Sequence, residues 1–203
     1  DINDKIKKSK EKPGLAIVLV GNNPASEIYV NFKEKKAKEV GLYFERYNLD
    51  EGISQDELLK IIDDLNQNKK IHGMIVQLPL PDQIDENFVV DYILPHKDAD
   101  GFTPVNLGSL VNNDNRLLPA TARACLELIK STGEKIAGKN AVVVGRSSIV
   151  GKPTSLLLLQ ENATVTICHS RTQNIKDIVQ TADILVTCCG QPNYVKEDWV
   201  KKN

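Results

Sequence analysis

The sequence predicts an α/β fold of two units, each a parallel sheet flanked by helices. Three observations carry that expectation. Apolar runs of strand length alternate with segments of helical period along the 203 residues. A stretch carrying glycine and proline, 95–119, interrupts the alternation and reads as irregular. The alternation then resumes, which places the boundary near 119–121 and gives units 1–120 and 121–203.

In the first unit, 15–20 is a continuous apolar run closed by Gly21-Asn22-Asn23-Pro24, a strand followed by turn signals. Residues 26–40 read as a helix stopped by Gly41. Segment 43–49 alternates as a second strand. Ser54-Gln55-Asp56-Glu57 is a capping box, in which hydroxyl and carboxylate each satisfy a free backbone N–H, and it opens a helix at 55–68. A third buried strand is expected at 73–78, then a short helix at 87–94 halted by Pro95. The βαβαβ order implies parallel pairing.

The second unit repeats the pattern. A helix is expected at 121–131, a strand at 141–144 and a helix at 152–160. A strand at 164–168, a helix at 175–180 and a strand at 184–188 follow. Three strands are few for a doubly wound nucleotide domain, so a further C-terminal portion is expected. In open sheets of this kind ligands bind beyond the carboxyl ends of the strands, where the motifs below fall.

Composition narrows the function. Hydrophobic content of 41% and charged content of 26% are those of a globular protein. A net charge of −1 argues against nucleic acid as a partner. Lys5, Lys7, Lys8, Lys10 and Lys12 are interspersed with Asp1, Asp4 and Glu11, which reads as a solvated helix face. No apolar run reaches the roughly eighteen residues of a membrane span, so no membrane is expected. Neither the four cysteines (Cys125, Cys168, Cys188, Cys189) nor His72, His96 and His169 show metal-ligand spacing, and no metal is expected. Cys168, Cys188 and Cys189 sit in apolar strand-like segments, as small hydrophobes do. A reducing, cytoplasmic compartment is expected, with a mitochondrial one left open by a sequence that starts inside a charged helix-like stretch.

Two places carry chemistry. Tyr29 and Lys33 stand four residues apart and so share a helix face. The ring offers a platform for a planar ligand and the amine a proton carrier; an ordinary amphipathic helix is the plain alternative. In the second unit, Val144-Gly145-Arg146-Ser147-Ser148-Ile149-Val150-Gly151-Lys152-Pro153 joins a strand to a helix. Gly145 permits a tight turn, Gly151 close approach, and Pro153 fits the first helical turn, whose free N–H groups attract phosphate. A plain strand-to-helix turn remains open. The next strand ends in Cys168-His169-Ser170-Arg171-Thr172, with no carboxylate where a ribose-binding acid would select NAD. Arg171 and Arg146 favour the extra phosphate of NADP. This reading makes the second unit a Rossmann-like NAD(P)-binding domain.

Pro24-Ala25-Ser26…Tyr29-Val30…Lys33, Val76-Gln77-Leu78-Pro79-Leu80-Pro81 and Lys97-Asp98-Ala99-Asp100-Gly101-Phe102 come in that order, followed by the Gly145 loop. Together they resemble the bifunctional methylenetetrahydrofolate dehydrogenase/methenyltetrahydrofolate cyclohydrolase family, over about 13–199. Short-chain dehydrogenases also use Tyr-x-x-x-Lys, but after their glycine loop rather than before it.

The resemblance implies an active-site cleft between the units. It also implies NADP-dependent oxidation of 5,10-methylenetetrahydrofolate to 5,10-methenyltetrahydrofolate, then hydrolysis to 10-formyltetrahydrofolate. Tyr29 would stack on the folate, Lys33 would be the amine of the hydrolytic step, Gln77 would hydrogen-bond Lys33 and tune it, and Asp100 would grip the pterin. Ser26, Leu78 and Pro79 would complete the substrate site, although Pro79 and Pro81 could only shape a turn and Asp98 could be a cap or a solvated charge. Thr121, Gly145, Arg146, Ser147, Ile149, Ser170 and Arg171 would line the NADP, with Thr121 also as helix N-cap. Tetrahydrofolate derivatives, polyglutamylated ones included, and a homodimer are the implied partners. One departure stands out: where the family shows Pro-Cys-Thr-Pro-x-Gly, this chain has Pro119-Ala120-Thr121-Ala122-Arg123-Ala124. A dehydrogenase-only relative, or a non-catalytic paralogue kept as an assembly domain, are the alternatives; Lys33 argues against the first, and the joint presence of Tyr29, Lys33, Gln77 and Asp100 against the second.

Overall fold

A computed structural model describes residues 2–114 and 117–201. Its contacts divide the chain into two compact units, Asp1–Pro104 and Val105–Asn203.

The first unit runs α1 (Ile2–Lys8), β1 (Gly14–Val20), α2 (Pro24–Glu39), β2 (Tyr43–Leu49), α3 (Gln55–Gln67), β3 (Gly73–Val76) and α4 (Glu86–Tyr92), then a 3-10 turn at Pro95–Lys97. The strands pair in parallel in the order β2-β1-β3, with Val18 opposite Tyr47 and Val76. Side chains of β1 alternate between the two faces of the sheet, and 16–20 are buried on both. Ala16, Val18 and Val20 pack with Leu58, Ile62 and Leu65 of α3, while Ile17 and Leu19 pack with Val30 of α2 and Ile75. Both faces of the central strand are covered, which is why 15–20 is apolar throughout.

Local chemistry sets the helix starts. The Asn23 side chain accepts the N–H groups of Ala25 and Ser26 at 3.0 and 3.2 Å, and Pro24 takes the first helical position. Helix α2 therefore begins two residues ahead of the expected 26. The Ser54/Glu57 capping box is present in both directions. Asp85 caps α4, which starts one residue ahead of the expected 87. Strand β3 ends at Val76 rather than 78, although the Gln77 N–H still donates to Val18 O at 2.9 Å. Helix α1 ends at Lys8, so Lys10 and Lys12 lie exposed beyond it rather than on one helix face. The side chain of Lys7 lies outside the described residues.

The second unit runs α5 (Pro104–Val111), α6 (Ala120–Ser131), β4 (Asn140–Val144), α7 (Gly151–Gln160), β5 (Thr164–Cys168), α8 (Ile175–Gln180) and β6 (Ile184–Thr187). Its sheet is again parallel and ordered β5-β4-β6. Ala141 and Val143 pack with Leu110, Leu126, Leu157 and Leu158; Val142 and Val144 pack on the other face with Val179 and Cys168.

Helix α5 corrects the expectation that 95–119 is irregular. Pro104 at its start and Leu107, Leu110 and Val111 along it carry helical spacing, but Gly108 and the short length dilute the signal. Leu110 enters the core of the second sheet, and Gln160 Nε2 donates to Leu110 O at 2.8 Å. The division between Pro104 and Val105 follows from these contacts and precedes 119–121. Thr121 is not the N-cap of α6: Pro119 holds that place without a side-chain hydrogen bond, and Thr121 is exposed at the second helical position.

Cys168 is buried and Cys125, Cys188 and Cys189 are half-buried, all free thiols. Among the described residues, no helix is long and apolar enough to cross a membrane, and no group of histidine, cysteine and acidic side chains could hold a metal.

Candidate active site

Three segments of the first unit converge beyond the carboxyl ends of β1 and β3. Helix α2 brings Ser26, Tyr29 and Lys33; the segment after β3 brings Gln77, Leu78 and Pro79; the loop after the 3-10 turn brings Asp100. Lys33 Nζ donates to Gln77 Oε1 at 3.2 Å and stands 3.9 Å from Asp100 Oδ1. Gln77 does not choose its orientation freely. Its Nε2 donates to Leu78 O at 2.8 Å, and Ser26 Oγ donates to the same carbonyl at 3.5 Å. With the amide N–H committed to Leu78, the amide oxygen is left to face the amine. The Leu78–Pro79 peptide is cis, and Pro79 is exposed while Leu80 is buried.

Tyr29 is 62% exposed, one turn before Lys33, so its ring is open to a planar ligand. Asp100 has a different setting. Its carboxyl is pushed above the usual carboxylate range, chiefly by burial; Lys33 partly offsets this and Asp98 adds to it. The site thus holds an amine with one amide partner and a carboxyl that burial makes reluctant to ionise.

From the sequence alone, Lys97 has no role and Asp98 stands between a cap and a solvated charge. Asp98 is 2% exposed, so the solvated-charge reading fails and the cap-like one holds: its carboxylate accepts the N–H groups of Gly101 and Thr103 at 2.8 and 2.7 Å. Lys97 is also buried, and desolvation pulls its ammonium below the usual lysine range. The sequence signal for both is their place in the Lys97-Asp98-Ala99-Asp100-Gly101-Phe102 motif.

In the second unit, the loop between β4 and α7 is wound tightly. Gly145 has φ +137°, and a Cβ there would lie 2.6 Å from both Cys188 O and Sγ. A Cβ on Gly151 would lie 2.3 Å from Gly145 O, so both glycines are required by space. Ser147 Oγ accepts from the N–H groups of Val150 and Gly151 at 3.2 and 3.3 Å. Arg146 and Ser148 are exposed on the loop, and Ile149 is half-buried. Ten-residue α7 turns its positive end toward this loop. After β5, Ser170 and Arg171 are exposed, and the turn is held by His169 N–H to Thr172 Oγ1 at 2.8 Å and Arg171 N–H to His169 Nδ1 at 3.2 Å. A glycine cradle, a helix start and two exposed arginines fit an anionic dinucleotide.

Fold and loop together define an α/β enzyme with a Rossmann-like dinucleotide domain. Residues 1–100 match the tetrahydrofolate dehydrogenase/cyclohydrolase catalytic domain, and 119–203 match the NAD(P)-binding domain of the same family. The bifunctional protein FolD of Geotalea daltonii is 50% identical over 190 residues, covering 94% of this chain and 68% of that protein. The crystal structure of the bifunctional FolD dehydrogenase/cyclohydrolase of Campylobacter jejuni superposes with a TM-score of 0.95 at 38% identity, covering 100% of this chain and 72% of that one. The Trypanosoma brucei enzyme, complexed with NADP cofactor and inhibitor, gives 0.94 at 36% identity over 98% of this chain and 70% of that one. The chain belongs to the tetrahydrofolate dehydrogenase/cyclohydrolase family.

Proposed function

We infer that the protein oxidises 5,10-methylenetetrahydrofolate with NADP and hydrolyses the resulting 5,10-methenyltetrahydrofolate to 10-formyltetrahydrofolate. Family membership supports the pair of reactions, and the convergence of Lys33, Gln77 and Asp100 on one face carries the assignment of residues.

Tyr29 is the platform on which the folate lies, and Asp100 accepts hydrogen bonds from the donor edge of the pterin. Ser26, Leu78 and Pro79 border the same ligand. When bound, NADP supplies the hydride acceptor, and the methylene bridge becomes a delocalised amidinium as an adjacent nitrogen lone pair assists. That step needs orientation more than a strong acid or base. Hydrolysis needs proton traffic instead: water attacks the amidinium carbon, and a ring nitrogen takes a proton as its bond to that carbon breaks. Lys33 carries these protons, and Gln77 Oε1 holds its Nζ in place between them. Gly145, Arg146, Ser147, Ile149, Ser170 and Arg171, with Thr121, hold the dinucleotide, and the two arginines select the 2′-phosphate.

Tetrahydrofolate derivatives, polyglutamylated forms included, are the ligands of this reading, a homodimer is its assembly and the cytoplasm its location. Sedimentation equilibrium tests the dimer.

One assay tests the chemistry. Protein is incubated with methylenetetrahydrofolate and NADP while the methenyl chromophore is followed. Its appearance and accelerated decay are the expected result. Appearance without accelerated decay would mean a dehydrogenase only, and silence would mean a non-catalytic domain.

A further inference from the structure

The acidic side chain assigned to the pterin sits on a loop, and loops position side chains poorly unless something fixes them. Here the fixing group is visible. Asp98, 2% exposed, turns its carboxylate inward and accepts the backbone N–H groups of Gly101 at 2.8 Å and Thr103 at 2.7 Å. These are charge-assisted bonds to buried donors, the stronger kind. They close a turn around Asp100, and Gly101 sits at φ +72° within it.

The entrance to the turn is fastened as well. Lys97 Nζ donates to Leu65 O at 2.8 Å and Asn68 O at 2.9 Å, in the last turn and at the C-cap of α3, where helical donors run out; Asn68 O also accepts the Ile71 N–H at 3.2 Å. Asn66 grips the preceding segment twice: its Nδ2 donates to Tyr92 O at 3.0 Å and its Oδ1 accepts the Leu94 N–H at 3.1 Å. On the sheet side, Ala99 N–H donates to Met74 O at 3.1 Å, and a Cβ on Gly73 would come within 3.3 Å of Ala99 Cβ. The segment is therefore held to α3 and to β3 before it reaches Asp100.

We propose that Asp98 is a positioning residue for folate binding: its buried carboxylate winds 98–103 into the one conformation that presents Asp100 to the substrate, with Lys97 anchoring the entrance of the loop to α3. This rests on the reading of Asp100 as the pterin's partner. It separates two adjacent acids of the Asp98-Ala99-Asp100 motif into different duties, one turned to the backbone and one to the ligand. Replacing Asp98 by asparagine keeps its shape but turns one acceptor into a donor facing a backbone N–H.

Three variants of the full chain, Asp98→Asn, Lys97→Met and Asp100→Ala, are compared for folate KM, kcat, NADP affinity and amide exchange by mass spectrometry. Asp98→Asn is expected to raise the folate KM about tenfold, with kcat reduced less, NADP affinity unchanged and faster exchange confined to 98–103. Lys97→Met is expected to move the same quantities in the same direction by less, and it replaces Asp98→Asn should that variant not fold. A folate KM unchanged in Asp98→Asn but raised in Asp100→Ala would overturn the positioning role alone. A folate KM unchanged in Asp100→Ala would overturn the assignment of Asp100 and the proposal with it. Faster exchange across the whole first unit, with NADP affinity also lost, would make Asp98 a residue of general stability and overturn the proposal too.

Discussion

Lys33 Nζ and Gln77 Oε1 are 3.2 Å apart, and the amide that holds the amine is itself fixed by its hydrogen bond to Leu78 O. The relationship joins a helix after β1 to a segment after β3, 44 residues away along the chain. Parallel pairing of those strands puts their carboxyl ends side by side, so residues that follow each strand can meet.

Hydrolysis depends on that amine. Lys33→Met is expected to lower cyclohydrolase turnover by at least about 100-fold, the size of a lost general acid–base group. The decay of methenyltetrahydrofolate measures this directly, while NADP reduction reports the first step separately. Cyclohydrolase turnover surviving in Lys33→Met would remove the residue from the mechanism.

Asp100 makes stability depend on pH in a definite direction. Burial raises its folded pKa above the unfolded value, so the folded state binds the proton more tightly. The stabilisation is complete below the unfolded pKa and disappears as pH rises through the folded one. Asp100→Asn should therefore melt higher than the parent at neutral pH, and the gap should close on acidification. Because Lys33 is the favourable charge beside it, Lys33→Met should push the Asp100 pKa up further, readable by carboxyl NMR titration.

Gly151 has no room for a methyl group, which would sit 2.3 Å from Gly145 O. Gly151→Ala is expected to distort the loop at a cost of about 1–3 kcal/mol and to weaken NADP binding at least tenfold. The first unit has its own core, so its folate binding, followed by Tyr29 or ligand fluorescence, should persist.

Arg146 and Arg171 bear on cofactor choice. Replacing either by alanine should raise KM for NADP about tenfold, as expected for a lost guanidinium–phosphate pair, and leave KM for NAD nearly unchanged. Equal losses with both cofactors would assign the arginines to the shared diphosphate instead.

Asn23 caps the helix that carries Tyr29 and Lys33. Asn23→Ala should cost about 1 kcal/mol, since it frees two backbone donors at an exposed helix start. Urea unfolding of parent and variant measures the difference.

Some of this was legible in the amino-acid sequence because it is local. The apolar run at 15–20, the capping box at Ser54–Glu57 and the glycines around Arg146 each announce themselves within a few residues. Helix α5 was not legible, because its helical spacing is short and crossed by Gly108, and its stability comes from Leu110 entering a core built by distant residues. Thr121 looked like a cap by residue type, yet Pro119 ended up at the capping position.

Sequence alone determined the alternation of strands and helices, and hence two parallel α/β units, because hydrophobic period and turn chemistry are properties of neighbouring residues. It also nominated Tyr29, Lys33, Gln77 and Asp100 through motif likeness. Only the tertiary structure decided the geometry: that the Gln77 amide oxygen faces Lys33 because Leu78 O holds the amide nitrogen, that burial shifts Asp100, and that Asp98 and Lys97 are turned inward. Those outcomes depend on desolvation and, for the Lys33–Gln77 and Lys97 hydrogen bonds, on partners 29 to 44 residues apart, which no local pattern encodes.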